Sequence, residues 1–341
     1  MIALLNKSYI LSRPSKMAQR LMSYLFFEGR PATTRGKWFN PVTFFMLKFA
    51  SKRNISVKSE SPVFITGTGR SGSTILGMIL SMHKDLGFLN EPKALWHTVY
   101  PEGDLTGSYS VGEAHFNLNA EDFEPEMAQR VKSIYTSFLK YSRSKVILDK
   151  YPEMIFRVDF IKAIFASPRF IFLYRNPWDT IISTAEWSDK NRVESDGNKE
   201  DWWGINDRKW NLMLQQVVPY DPYLANYKDE VALLTSQIDK AAVEWIVTMN
   251  KGLAVVEQNP ELFFPVSYEE LLEDPKQMLH RIFQFLELRT DPVALKYAEK
   301  ELEKRPVRMK VDIHPVLREA LSETSVKLGY GAQFSEMSMA Q

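Results

Sequence analysis

The feature that most constrains the fold is a glycine-rich segment between an apolar run and a helical pattern. Val63–Ile65 predicts a buried strand, and Gly67–Thr74 follows it after Thr66. Glycines let a strand turn tightly into a helix, whose first N–H groups have no intrahelical partner and bind phosphate or sulfate. We therefore predict an anion-binding loop, formed by Thr68, Gly69, Arg70, Ser71, Gly72, Ser73 and Thr74.

This loop departs from the ATP- and GTP-binding pattern G-x-x-x-x-G-K-[ST] at one position. Gly67 and Gly72 match the pattern, but Ser73 occupies the lysine position, and the cation is Arg70 instead. The change disfavours a kinase and indicates a different leaving group. A P-loop kinase that uses ATP and Mg²⁺ stays as the alternative, because Asp149 follows an apolar run as the magnesium-holding aspartate of kinases does.

Composition limits the classes of partner and compartment. The 341 residues include 43 basic and 42 acidic side chains, so the net charge is +1, whereas nucleic-acid-binding proteins are usually strongly basic. We therefore expect no nucleic-acid partner, and any anion site must be local. The chain has no cysteine, which fits a reducing compartment, and no apolar stretch of the ~18–20 residues that span a bilayer. We expect a cytoplasmic protein.

Residues 1–60 precede the strand and helix pattern and carry basic residues among apolar clusters such as 25–27 and 44–47. We predict an N-terminal helical extension that packs on the main domain. Peripheral membrane contact through these residues is the second interpretation, since basic amphipathic helices bind membrane surfaces. The short apolar run after Met1 does not fit a cleavable secretory signal.

Strand and helix patterns alternate from residue 61 onward. Strands are predicted at 63–65, 86–88, 146–148, 169–174 and 263–266, and helices at 75–82, 125–141, 158–165, 238–256 and 275–286. This order favours an α/β fold: a mostly parallel sheet with helices on both faces, in the three-layer α/β/α arrangement of P-loop nucleotide hydrolases. We assign 61–335 to this domain, with an irregular insertion at about 187–235, and expect its Trp202, Trp203 and Trp210 to pack rather than to stack on an acceptor.

Polar groups follow several of these strands at their carboxyl ends. They include the glycine-rich loop, Glu91, Lys150, Arg175 and Tyr268. Because ligands of parallel sheets bind beyond the carboxyl ends of the strands, we expect these groups to share one active site.

Four motifs resemble the PAPS-dependent sulfotransferases, which take a sulfuryl group from 3′-phosphoadenosine 5′-phosphosulfate (PAPS) and release PAP. These are Thr66–Thr74, Leu173–Pro177 with Ser183, Val266–Leu271 followed by Pro275, and Leu328–Tyr330. The resemblance covers roughly residues 60–330, and its loop is most similar to the bacterial carbohydrate or lipid branch and the protein-tyrosine branch. It implies sulfuryl transfer to a hydroxyl acceptor, which we expect to be a carbohydrate, a lipid-linked glycan or another small molecule.

The resemblance implies a role for each group. The loop with Arg70 binds the 5′-phosphosulfate, and Arg175 with Ser183, eight positions later, binds the 3′-phosphate. Glu91 lies 21 positions beyond Arg70, about as far as the family's glutamate base, and Lys150 matches a lysine that stands ahead of a proline.

Sulfuryl transfer fits these residue types. Positioning and charge neutralisation supply most of such catalysis, so Arg70 and Lys150 with backbone N–H groups can replace a metal ion, and we expect none. A carboxylate takes the proton of the attacking hydroxyl; Glu91 is the predicted base and Asp149 the fallback. We expect the Tyr268 hydroxyl to contact the nucleotide.

The predicted 3′-phosphate site is the less complete part. Arg175 precedes a helix that starts at residue 176, so we expect its guanidinium to lie beside free helix N–H groups. The tyrosine branch has a second arginine where this chain has Trp187. The candidates to complete the site are Lys190, Arg192, Arg305 and Arg308. The acceptor and the oligomeric state are left open by the sequence.

Overall fold

The computed structural model describes residues 4–331 except for 32, 34, 35, 54–60, 196, 305, 307 and 309. Its strands are β1 (Val63–Gly67), β2 (Leu86–Asn90), β3 (Val146–Lys150), β4 (Arg169–Tyr174), β5 (Val193–Ser195), β6 (Asn198–Asp201), β7 (Gly204–Ile205) and β8 (Phe263–Ser267). Five of them form a parallel sheet in the order β2-β3-β1-β4-β8, and β5, β6 and β7 form a small antiparallel sheet.

Fifteen α-helices occur in the described part of the chain. They are α1 (Lys7–Ser12), α2 (Pro14–Ser23), α3 (Asn40–Ser51), α4 (Ser73–Ser81), α5 (Lys93–Val99), α6 (Pro125–Ser142), α7 (Val158–Ile164), α8 (Pro177–Asn191), α9 (Arg208–Gln216), α10 (Lys228–Ala232), α11 (Gln237–Gln258), α12 (Tyr268–Glu273), α13 (Pro275–Phe285), α14 (Pro292–Glu301) and α15 (Pro315–Lys327). The five helices for which the sequence predicts a start and an end correspond to α4, α6, α7, α11 and α13.

The sheet separates two apolar cores, because successive side chains of a strand point to opposite faces. Phe64 of β1 packs in one core with residues of α5, α6, α7, α8 and α11. Its neighbours Val63 and Ile65 pack in the other core with residues of α4, α13 and α14. The predicted three-layer α/β/α fold with a parallel sheet is confirmed.

The register of the sheet brings the carboxyl ends of its strands to one edge. Ile65 pairs with Lys150, and Asn90 of β2 pairs with the same lysine. On the other side of β1, Gly67 pairs with Leu173 of β4. The residues that follow these strands therefore lie close together.

Regular structure is also present at 187–235. Helix α8 continues to Asn191, and the antiparallel sheet, α9 and α10 follow. Trp203 and Trp210 are buried in the core, as expected, whereas Trp202 is only partly buried.

The described part of residues 1–60 contains α1, α2 and α3, which contact the α/β domain. The Tyr9 hydroxyl lies 2.9 Å from Ser81 Oγ of α4, and Arg13 forms an ion pair of 2.8 Å with Asp291. Helix α3 packs against α5 and α6. Across the described ranges, no helix has both the length and the apolarity required to cross a membrane.

Candidate active site

The glycine-rich loop requires its glycines at two positions. Gly67 has φ +135°, and a Cβ atom there would lie 2.2 Å from the Leu173 carbonyl oxygen. Gly72 has φ +97°, and a Cβ atom there would lie 2.4 Å from Cε2 of Tyr268. At both positions a residue other than glycine would have a strained backbone, and its Cβ atom would displace neighbouring atoms. The loop is thus closely enclosed by β4 and by the Tyr268 ring.

The first N–H groups of α4 are not capped by a side chain of the described residues. The helix begins at Ser73. Next to it, Ser71 Oγ donates to the Thr68 carbonyl oxygen at 2.7 Å, and the buried Thr68 Oγ1 has no hydrogen-bond partner in the described chain. Free N–H groups at a helix start are suited to phosphate or sulfate.

Unlike α4, helix α8 has a side chain that caps its first N–H groups. Asn176 Oδ1 accepts hydrogen bonds from the N–H groups of Trp178, at 2.9 Å, and Asp179, at 3.3 Å. The expectation that Arg175 lies beside free helix N–H groups is therefore wrong for these two donors, because the preceding asparagine caps the helix. An anion at this position would therefore have to be bound by side chains.

One cavity, of about 550 Å³, lies beside the loop and the start of α8; we call it the arginine cavity. Its lining includes Arg70, Gly72, Ser73, Thr74, Arg175, Ser183, Tyr268 and Arg308. Thus all three side chains predicted for the nucleotide outside the loop, those of Arg175, Ser183 and Tyr268, come together there. Arg70 Nε donates to Ser183 Oγ at 3.2 Å, which links the loop to α8.

Arg175 is held in position but retains an unused donor. Its guanidinium carbon lies 4.5 Å from the centre of the Tyr268 ring, and its Nη2 lies 3.3 Å from Asp179. The buried Nε has no hydrogen-bond partner in the described part of the chain. An arginine stacked on an aromatic ring with a free N–H can add hydrogen bonds to an anion.

Arg308 is the candidate cation that the structure brings to this cavity. Its backbone N–H donates to Asp179 at 3.0 Å, and its side chain forms an ion pair of 2.7 Å with Glu186. Lys190 and Arg192 are not among the cavity-lining residues. Arg305 lies outside the described residues.

A second cavity, of about 370 Å³, lies beside the carboxyl ends of β2 and β3; we call it the glutamate cavity. Its lining includes Arg20, Arg30, Gly69, Arg70, Thr74, Asn90, Glu91, Lys93, Lys150, Glu153, Trp202 and Lys209. Arg70 and Thr74 line both cavities, so the two spaces adjoin at the start of α4. A group bound at this junction would face Arg70 and the N–H groups of the helix.

Glu91 and Lys150 are directly paired in this cavity. The buried Lys150 Nζ donates to Glu91 Oε1, and Lys93 Nζ lies 3.9 Å from Glu91 Oε2. Burial acts to raise the pKa of the Glu91 carboxyl, but the charges of Lys150 and Lys93 outweigh it and leave the pKa below its usual range. Glu91 is therefore a carboxylate at neutral pH and can accept a proton.

Arg70 and Glu91 also share a sparsely populated backbone conformation. Their φ angles are +65° and +47°, in the left-handed region that non-glycine residues seldom occupy. Such conformations persist where the surrounding structure enforces them, and they concentrate at functional sites.

Sequence reasoning missed a second ion-pair network beside Glu91. Lys209 forms ion pairs with Glu153, at 3.0 Å, and with Glu244, at 2.6 Å. Burial acts to raise the pKa of Glu153, but Lys209 and Lys93 lower it to about 2. Trp202 donates to Glu244 at 2.6 Å, and a Cβ atom at Gly69 would lie 2.3 Å from the Trp202 ring. Trp202 therefore packs directly against the glycine-rich loop.

Asp149 lies apart from both cavities. It is fully buried and accepts hydrogen bonds from Trp96 Nε1, at 2.9 Å, and from the Tyr135 hydroxyl, at 2.6 Å. Burial raises its pKa to about 7. Since it does not line either cavity, the geometry gives no support to its role as fallback base or as a magnesium ligand.

The late strand motif and the C-terminal motif also meet in the fold. The Tyr330 hydroxyl donates to Glu269 Oε2 at 2.6 Å, and Glu269 Oε1 accepts from the backbone N–H of Asn176 at 3.0 Å. These contacts tie the end of the described chain to α12 and to the start of α8. In the described ranges, no group of three or more histidine, aspartate and glutamate side chains could hold a metal ion.

The family model and the solved structures to which this chain is similar are those of sulfotransferases. Residues 62–218, slightly under half of the chain, match the model of a sulfotransferase family, and no curated protein matches the chain. Solved structures with similarity include the sulfotransferase domain of a Synechococcus olefin synthase, 16% identical over 82% of this chain and 98% of that chain, with a TM-score of 0.47. A Mycobacterium avium sulfotransferase is 13% identical over 95% and 91%, with a TM-score of 0.46. A mouse sulfotransferase complexed with PAP is 12% identical over 85% and 88%, with a TM-score of 0.33.

Proposed function

We propose that this chain, whose residues 62–218 match the model of a sulfotransferase family, transfers a sulfuryl group from PAPS to the hydroxyl group of a carbohydrate, a lipid-linked glycan or another small acceptor. The observation that carries the proposal is the junction of two cavities at Arg70, one containing Arg175 and Ser183 and the other Glu91 and Lys150. The arginine cavity would hold the donor and the glutamate cavity the acceptor.

The proposed reaction assigns a task to each group. Arg175, Ser183 and Arg308 would bind the 3′-phosphate, while the loop and the N–H groups of α4 would bind the 5′-phosphosulfate. The acceptor oxygen forms a new bond to sulfur as the bond from sulfur to the bridging phosphate oxygen breaks. Glu91 takes the proton of the acceptor, and Arg70 with Lys150 neutralises the charge on the departing PAP. The negative charge that develops on PAP would thus be neutralised by two cationic side chains of this chain.

Tight binding of PAP without a metal is the expected result of a calorimetric titration. Arg175→Ala should weaken it by about 10- to 100-fold, since hydrogen bonds to charged groups contribute ~1.5–3 kcal/mol. Arg169→Ala is the matched control, because Arg169 lies at the opposite end of β4 and pairs with Glu287.

A parallel titration with ATP and Mg²⁺ tests the kinase alternative. That alternative is disfavoured because position 73 is serine rather than lysine and because Asp149 lines neither cavity. Binding of ATP with Mg²⁺ together with indifference to PAP would contradict the sulfotransferase proposal.

We also propose that residues 37–53 contact a membrane surface. Trp38, Val42, Phe45 and Phe49 are 81%, 43%, 70% and 56% exposed. Their spacing places them on one face of α3 and the turn before it, while Leu47 on another face is buried. Such a row of large exposed apolar side chains marks an interaction surface.

The charge of this segment favours an anionic lipid surface over other occupants. Residues 37–53 contain four exposed cations and no acidic residue. These cations are Lys37, Lys48, Lys52 and Arg53. A basic helix with exposed tryptophan and phenylalanine is typical of helices that lie in the interfacial plane of a bilayer. Contact of this kind suits a cytoplasmic enzyme, and the absence of cysteine fits that compartment.

Sedimentation with vesicles tests this contact. The chain should sediment with vesicles of phosphatidylcholine and phosphatidylserine, and less so at high salt. The double variant Phe45→Ser, Phe49→Ser should stay in the supernatant, whereas Leu11→Ser, which changes an exposed leucine of α1, should behave as the unmodified chain does. Equal sedimentation of all three, or a dimer that only the double variant loses, would contradict the proposal.

A further inference from the structure

A buried arginine from the N-terminal segment lines the glutamate cavity. Arg30 is 3% exposed and belongs to the lining of that cavity but not of the arginine cavity. Asn40 fixes its backbone on both sides: the Arg30 N–H donates to Asn40 Oδ1 at 2.9 Å, and Asn40 Nδ2 donates to the Arg30 carbonyl at 2.7 Å. The position of this cation is therefore determined by the fold.

Apart from Arg70 of the glycine-rich loop, Arg30 differs from the other cations of this cavity in its charge balance. Arg20 pairs with Glu28, Lys150 and Lys93 pair with Glu91, and Lys209 pairs with Glu153 and Glu244. No carboxylate in the described part of the chain forms an ion pair with Arg30.

In place of a carboxylate, the guanidinium of Arg30 contacts one carbonyl group and two aromatic rings. Its Nη2 donates to the Tyr24 carbonyl at 3.2 Å, and the group lies 4.2 Å and 5.2 Å from the ring centres of Tyr24 and Phe39. Its buried Nη1 has no hydrogen-bond partner among the described residues. A buried charge without a counter-charge is costly, and a partly used planar guanidinium matches a carboxylate or phosphate.

We infer that Arg30 binds an oxyanionic group of the acceptor, so that the acceptor is an anionic hydroxyl compound carrying a phosphate or a carboxylate. The inference rests on the proposed function, since that assigns the glutamate cavity to the acceptor. Asn90 Oδ1, which lines the same cavity and is buried without a partner in the described chain, supplies an acceptor for a further hydroxyl of this compound.

Calorimetry on PAP-saturated protein tests the subsite, with inorganic phosphate and acetate as separate probes. Saturation with PAP keeps the probes out of the donor site. The unmodified chain should bind at least one probe, and Arg30→Met should weaken that binding by about 10- to 100-fold. Arg318→Met, which changes an exposed arginine paired with Asp312, should not. The stronger probe identifies the acceptor's group as phosphate or carboxylate.

The outcomes separate this inference from the proposed function. Unchanged phosphate and acetate binding in Arg30→Met, with normal PAP binding, would overturn the subsite alone. Absence of PAP binding to the unmodified chain would overturn the proposed function. If Arg30→Met does not fold, Arg30→Lys keeps the charge but loses the two-pronged geometry, and it should still weaken binding of the probe; unaltered binding there would also overturn the subsite.

Discussion

Replacing Glu91 by glutamine should lower kcat by about 10²- to 10⁴-fold, the usual contribution of a positioned general base. Glutamine keeps the size of the side chain but cannot take the proton of the acceptor hydroxyl. Glu91 does not line the arginine cavity, so affinity for PAP should be unchanged. The measurement is PAP release from PAPS with a hydroxyl compound that supports turnover by the unmodified chain, alongside a PAP titration.

Glu153→Gln is the matched control for this prediction. Glu153 is a second carboxylate of the same cavity, but Lys209 holds it in an ion pair of 3.0 Å, and its side chain is 15% exposed against 38% for Glu91, so it is less accessible to an acceptor. Its replacement should reduce turnover less than that of Glu91. Equal losses in both variants, or full activity in Glu91→Gln, would show that Glu91 is not the base.

The parts of the site that sequence could predict depend on short-range patterns. Strand ends can be read from apolar runs, and parallel strands bring their carboxyl ends to one edge, so Glu91 and Lys150 are expected to be close although they are distant in sequence. The glycines at 67 and 72 indicate the anion-binding loop because few other residues adopt such turns. These features follow from local geometry and from one rule of topology.

The remaining features depend on contacts between distant segments. Trp202 covers Gly69 because the small antiparallel sheet folds back onto the loop, and no periodicity in 187–235 indicates this. Arg30 lines the cavity because the N-terminal segment reaches the carboxyl ends of β2 and β3. The residues around Arg30 in the sequence show no motif that indicates this contact. The sequence places a helix start at residue 176, but the loss of free N–H groups beside Arg175 depends on the Asn176 side chain, whose hydrogen bonds only the structure shows.

The pairing of Lys150 with Glu91 leads to the second large effect. Lys150→Met should lower kcat by about 10²- to 10³-fold, comparable with the loss of one donor that stabilises developing negative charge. The same change should alter the dependence of kcat/KM on pH. In the proposed reaction turnover requires Glu91 in its carboxylate form, so the rate should fall as pH decreases through the pKa of that group.

The direction of the pH shift follows from the charges around Glu91. Burial raises its pKa, and Lys150 and Lys93 lower it. Without Lys150, burial is opposed by the more distant Lys93, at 3.9 Å, and by the charge of Arg70. The pKa of Glu91 should therefore rise, and the acid limb of the profile should move to higher pH. Lys145→Met, which changes an exposed lysine paired with Asp85, is the control and should leave the limb in place. Loss of its closest cation must raise the pKa of Glu91. An unmoved limb in Lys150→Met would therefore mean that a group other than Glu91 limits the rate at low pH.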